Sequence, residues 1–150
     1  MKKLLLILLC LIINLNNINM YTPKQKEIVR SYGKWLSNMD WDIFSTFTYR
    51  FNIREKQNFN IMTKLEKYLK SQSLSFRMFW VMENTSNQFN THNHFLIKGK
   101  GVEKKIEYHL KDRGLITNNF KHLDYKRGAS MYVSKYICNE NINYNYIESK

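Results

Sequence analysis

The sequence predicts an α+β domain, a mainly antiparallel β-sheet with helices on one face. Three observations lead to that class. Runs with the period of a strand alternate along the chain with runs that have the period of a helix. The 150 residues are 43% hydrophobic and 15% aromatic, enough for one real core and too much for global disorder. One Pro and five Gly leave no linker that would divide two domains, and no internal repeat occurs.

Taken in order, residues 24–36 place Ile28, Tyr32 and Leu36 at i, i+4 and i+8, which predicts a helix. Residues 42–51 are rich in β-branched and aromatic side chains and read as a strand. Residues 61–69 put Ile61, Leu65, Tyr68 and Leu69 on one side of a helix. Residues 75–83 form a second expected strand, 84–90 a polar turn and 91–98 a third strand. Gly99 and Gly101 punctuate, and 102–110 is a helix that ends near Gly114. Residues 115–125 are expected as a fourth strand that Asn118-Asn119 interrupts or bends, and 128–138 as a last helix. The β-α-β-β-α-β order is that of a ferredoxin-like or RRM-like core, here followed by a C-terminal helix. Residues 21–39 stand outside that core as an N-terminal helix, and 141–150 as a C-terminal tail.

Residues 1–20 raise a separate question. Lys2-Lys3 precede an apolar run of ten residues from Leu4 to Ile13, whereas about 20 are needed to span a bilayer. The run fits the apolar region of a signal peptide. However, Asn14-Leu15-Asn16-Asn17-Ile18-Asn19 offers no small-residue cleavage site, and Cys10 lacks the small residue that precedes a lipoprotein cysteine. The favoured expectation is a mis-assigned start or a plain extension ahead of Met20, on a protein of the cytoplasm. Secretion or anchoring through residues 1–19 stays open as the lesser alternative.

Twenty-four Lys+Arg against 12 Asp+Glu give a net charge of +12; removing residues 1–19 takes only Lys2 and Lys3 and leaves +10. Such charge points to a polyanionic partner, nucleic acid first and an anionic membrane surface second. Between Lys98 and Tyr136 there are ten basic and four acidic residues; Lys98, Lys126 and Arg127 are candidates for phosphate contacts. Tyr49 is a candidate for stacking on unpaired bases, while Phe47 is expected in the core. Cys10 and Cys138, far apart, exclude a disulfide scaffold and a cysteine-based zinc cluster. No Gly-x-x-x-x-Gly-Lys-Ser/Thr occurs, so the chain carries no P-loop motor.

The hairpin of the second and third strands carries the sharpest signal. His92 and His94 are two apart, so period two puts both imidazoles on one face. If Glu83 pairs with His92 across the turn, the carboxylate joins that face with Cβ atoms about 5 Å apart. Two imidazoles and one carboxylate are mixed N and O donors suited to a catalytic Mg or Mn ion, and also acceptable to Zn. Two surface histidines on a polar strand end would look the same without Glu83; its matching parity is what raises the metal reading. On the last helix, Tyr132, Lys135 and Tyr136 share one face by their spacings of three and four. A neighbouring ammonium and a metal-polarised phosphate make attack by a tyrosine hydroxyl plausible. The plain alternative is an amphipathic helix with packing tyrosines and a solvated lysine.

With these three motifs together, the chain resembles the HUH endonuclease superfamily, specifically the rolling-circle replication initiators of plasmids, small single-stranded DNA viruses and phages. The matching residues, in order, are Phe44-Ser45-Thr46-Phe47-Thr48-Tyr49, then Glu83 with Thr91-His92-Asn93-His94-Phe95-Leu96-Ile97, then Tyr132-Val133-Ser134-Lys135-Tyr136. The resemblance covers about residues 40–138 and makes 40–140 an HUH-type endonuclease domain. It implies metal-dependent nicking of single-stranded DNA at an origin, a tyrosine keeping the 5′ end as a phosphotyrosine and the freed 3′ hydroxyl priming replication. Glu83, His92 and His94 would hold Mg or Mn. Tyr132 is the expected nucleophile with Lys135 positioning the phosphate, and Tyr136 is either a second nucleophile or a packing residue. Thr46, Thr48 and Tyr49 of the first motif would contact DNA. A helicase and a polymerase would come from the host. One departure from the family pattern is Asn93, a position usually apolar, whose buried amide needs partners. Two other classes remain open, a non-catalytic nucleic-acid-binding domain of RRM-like fold and a membrane-anchored or secreted basic protein. Within the superfamily a transposase or relaxase is the alternative.

Overall fold

The structure, a computed structural model, describes residues 21–83, 91–117, 120–126, 128–138 and 143–149. The leader, the 84–90 turn, Asn118-Asn119 and Arg127 lie outside the described residues, as do the expectations that fall on them. The elements run α1 (Pro23–Ser37), β1 (Ile43–Thr48), α2 (Glu55–Ser71), β2 (Phe76–Glu83), β3 (His92–Lys98), α3 (Val102–Asp112), β4 (Phe120–Asp124), α4 (Gly128–Ser134), a 3-10 turn (Lys135–Cys138) and β5 (Tyr144–Ser149). Every strand pairing is antiparallel, and the strand order is β4-β1-β3-β2-β5. Removing β5 leaves the order of a ferredoxin-like sheet, the arrangement the element order predicts.

Local chemistry starts each helix and tertiary burial selects its face. Pro23 opens α1 behind a capping box, in which Thr22 and Gln25 exchange side-chain-to-backbone hydrogen bonds of 2.9 and 3.2 Å. α1 buries Val29, Gly33 and Leu36, and α2 buries Asn58, Met62, Leu65 and Leu69, both at helical spacing. Helices α2 and α3 cover one face of the sheet with Met62, Leu65, Leu69, Ile106 and Leu110 packed on Phe47, Trp80 and Phe95.

The cover is not confined to one face, and here the expectation needs correcting. Leu36 of α1 with Val133 and Tyr136 of the C-terminal helical segment pack on Phe79, Val81 and Leu96, on the opposite side. The reason lies in the central strands: Phe79-Trp80-Val81-Met82 and Phe95-Leu96-Ile97 are apolar without alternation and buried throughout. Strands apolar on both faces need cover on both. Gly33 allows α1 to approach α4 closely, since a Cβ there would stand 2.2 Å from Met131 Sδ. Residues 144–149, set apart in sequence as a tail, form an edge strand against β2. The expected last helix is α-helical to Ser134 and tightens into a 3-10 turn from Lys135.

Candidate functional site

Strand register builds the site. Glu83 pairs with His92 as parity predicts, and His92 in turn pairs with Thr48 on β1. One pleat along, Val81, His94, Thr46 and Lys121 form a second row across the sheet. Both rows lie on the face that α1 and α4 cover.

Within these rows the polar groups are closely tied. Glu83 Oε2 lies 2.8 Å from His94 Nε2. The other nitrogen of His94, Nδ1, is 2.8 Å from Thr46 Oγ1, and His92 Nδ1 is 2.7 Å from Thr48 Oγ1. Both rings are thus held at Nδ1 by a threonine, which leaves Nε2 as the donor atom toward the site. Among the described residues no three His, Cys, Asp or Glu side chains close into a metal cage. The Glu83–His94 pair is nevertheless compatible with one. Two adjacent donors on a six-coordinate ion with bonds of about 2.1 Å stand about 3 Å apart, close to the 2.8 Å found. His92, opposite Glu83, offers the third donor of a mixed N and O set.

The helix motif meets the same imidazole. The His94 ring stacks on Tyr136 at 5.1 Å and meets Tyr132 edge-on at 5.3 Å. Tyr136 donates its hydroxyl to Tyr132 Oη at 2.9 Å. Lys135 Nζ lies over both rings, 4.0 Å from Tyr132 and 4.5 Å from Tyr136, so it serves the two tyrosines almost alike. Spacing along an ideal helix favours Tyr132 more strongly; the 3-10 tightening at Lys135 changes the angle.

Electrostatics separates the groups. Burial pushes the Glu83 carboxyl up, but the His94 hydrogen bond and charge, the Tyr136 hydroxyl and the Lys135 ammonium together hold it below the ordinary carboxylate range. Burial drives His92 down, with the charge of Glu83 opposing and those of His94 and Lys121 assisting. Tyr136 is buried, and burial followed by the neighbouring Tyr132 and Glu83 raises its hydroxyl far above the ordinary tyrosine value. Tyr132 is only half-buried.

The remaining expected residues fall elsewhere. Tyr49 is 1% exposed and donates its hydroxyl to Asn58 Oδ1, so it presents no ring face to a base; this corrects its place among the DNA contacts. Thr46 and Thr48 are turned to the histidines. Lys98 is corrected too. It is six residues from His92 on β3, about 20 Å along a strand, and is paired with Asp40 at 2.7 Å and Asp42 at 2.8 Å. Lys126 is exposed before α4. Asn93 is fully buried on the opposite face and donates to Asn58 Oδ1 at 2.7 Å, the partner its amide needs, though its own Oδ1 finds none. Lys121, exposed at the end of the His94 row, is the residue that sequence reasoning passed over. Its parity with Leu123 on β4 was readable; which strand β4 joins was not.

A comparison with protein families matches residues 42–141 to the family of the replication-associated protein ORF2/gene 2 protein. The chain belongs to that family. The match spans two thirds of the sequence, from the start of β1 past the tyrosine helix, and so contains Glu83, both histidines and Tyr132. The replication-associated assignment agrees with the positive charge and with a DNA partner. No curated protein and no solved structure matches the chain. Among the described residues, no helix of this family member is long and apolar enough to cross a membrane.

Proposed function

We propose that this replication-associated protein is a rolling-circle initiator of the HUH type, which nicks single-stranded DNA at an origin and keeps the 5′ end on a tyrosine. The observation that carries the reading is the contact of His94, already paired with Glu83, with both Tyr132 and Tyr136. A donor set and a nucleophile pair, 38 to 42 residues apart in sequence, share one imidazole.

Glu83, His92 and His94 would hold Mg or Mn, which supplies charge stabilisation at the non-bridging oxygens of the scissile phosphate. Tyr132 Oη attacks phosphorus, the bond from phosphorus to the 3′ oxygen breaks, the tyrosine proton leaves to solvent and the 3′ oxygen gains one. Tyr136 donates to Tyr132 Oη and so stabilises the phenolate as it forms. Lys135, beside both rings, adds positive charge to the same end. Lacking a P-loop, the chain depends on a host helicase for unwinding and on a host polymerase for extension in the cytoplasm.

The test is incubation with a pool of single-stranded oligonucleotides and Mn, scored for a covalent protein–DNA adduct. An adduct that maps to Tyr132 supports the reading. No adduct with any oligonucleotide, or an adduct that survives the joint change Tyr132→Phe and Tyr136→Phe, overturns it.

A further inference from the structure

The pairing of two threonines with two histidines goes beyond what the site needs for shape. Thr46 and Thr48 are i and i+2 on β1, His94 and His92 are i+2 and i on β3, and the antiparallel register sets each hydroxyl against one Nδ1. A neutral imidazole carries one proton, on either nitrogen. In the structure His94 Nε2 faces Glu83 Oε2 at 2.8 Å, and a carboxylate only accepts, so Nε2 carries the proton and Nδ1 accepts from Thr46. A metal ligand must instead offer the Nε2 lone pair, and then Nδ1 must donate. A backbone carbonyl or a carboxylate, the common partners behind a ligating histidine, accepts only and would hold a single tautomer. A threonine hydroxyl does both by rotating about one bond.

We propose that Thr46 and Thr48 are positioning residues that let His94 and His92 exchange tautomers. In this scheme the Glu83–His94 hydrogen bond closes the site without metal, and a divalent cation opens it with no movement of the strands. The inference rests on the metal-site reading above. No proton is gained or lost overall: the His94 proton moves from Nε2 to Nδ1 through solvent, and the Thr46 hydroxyl turns from donor to acceptor.

The test uses the full chain with Thr46→Val, Thr48→Val and Thr46→Ser. Valine keeps the branched shape and strand preference of threonine but removes the hydroxyl. Mn binding is followed by the loss of free-ion signal in electron paramagnetic resonance. Tautomers are read from histidine ring nitrogen shifts with diamagnetic Zn as probe. Each valine variant is expected to bind Mn about 10- to 100-fold more weakly than wild type, and Thr46→Ser to restore binding. Zn should move wild-type His94 from the Nε2–H to the Nδ1–H form, and Thr46→Val should hold it back at the same Zn level. A purely structural role for Thr46 would lower the unfolding temperature and leave that tautomer shift intact. Wild-type affinity and tautomer shift in both valine variants overturns the tautomer proposal and spares the metal site. Absence of Mn binding by wild type overturns the metal site and the proposal with it.

Discussion

The imidazole of His94 stacks on the ring of Tyr136, with centroids 5.1 Å apart and planes 17° from parallel. The strand that carries the candidate ligands and the helical segment that carries the candidate nucleophiles are therefore in direct contact. The two tyrosines are not equivalent in that contact. Tyr136 is 5% exposed and lends its proton to Tyr132.

From that asymmetry, Tyr132→Phe should remove the covalent adduct of a single-turnover nick and Tyr136→Phe should spare it, with a slower rate from the lost hydrogen bond. Peptide mapping of the trapped adduct decides. DNA attached at Tyr136 alone would reverse the assignment, and DNA on neither would take this helix out of the mechanism.

Removal of metal should be as damaging as removal of a ligand. His92→Ala, His94→Ala and EDTA are each expected to abolish nicking. His94→Ala should also cost stability by about 1–3 kcal/mol because its ring is buried between Phe44, Tyr132 and Tyr136. His92→Ala, half-exposed, should cost less. Circular dichroism checks the fold, and full cleavage in EDTA would sink the metal reading.

Acid should weaken the metal-free fold in two stages. His92 has its folded value below the ordinary 6.5, so the unfolded chain takes up the proton first. Its contribution is present above pH 6.5 and is lost as pH falls from there through the folded value. Glu83, held below its ordinary 4.5, contributes above that value and loses the contribution as pH falls through its folded one. Thermal unfolding against pH in chelator should show both stages, the upper one absent in His92→Gln and the lower one reduced in Glu83→Gln. An unfolding temperature independent of pH between about 8 and 5 would contradict the first.

Phosphate binding should depend on Lys121 and not on Lys98. Lys121 is exposed at the end of the His94 row, whereas Lys98 already pairs with Asp40 and Asp42. Lys121→Ala is expected to weaken binding to single-stranded DNA and to flatten the salt dependence by about 0.7 in the log–log slope. Lys98→Ala should leave both near wild type. Fluorescence anisotropy at several salt concentrations measures both quantities, and the opposite ranking would return the DNA path to the far end of β3.

The buried amides make a stability prediction. Asn58 Oδ1 accepts from Asn93 Nδ2 at 2.7 Å and from the Tyr49 hydroxyl at 2.9 Å. Asn58→Leu strands both donors and should cost about 1–3 kcal/mol or more. Asn93→Leu removes an amide whose oxygen has no partner while Tyr49 keeps Asn58, so its cost should be under about 1 kcal/mol. Urea unfolding of the two variants tests the order.

The parts legible from sequence were local ones. Period two sets His92 and His94 on one face wherever β3 lies, and a hairpin brings Glu83 opposite His92 because the two strands are neighbours in sequence. Helical spacing likewise joined Tyr132, Lys135 and Tyr136. What the tertiary structure decided was non-local pairing, which no period encodes. The choice of β3 as neighbour for β1 turned Thr46 and Thr48 from candidate DNA contacts into partners of the histidines, and its opposite face took Tyr49 into the core. The bend before β1 set Asp40 and Asp42 on Lys98. The addition of β5 beside β2 made a strand of an expected tail. In each case the side chain's period was readable, but its partner lay tens of residues away, and packing of the whole sheet between two helical layers selected it.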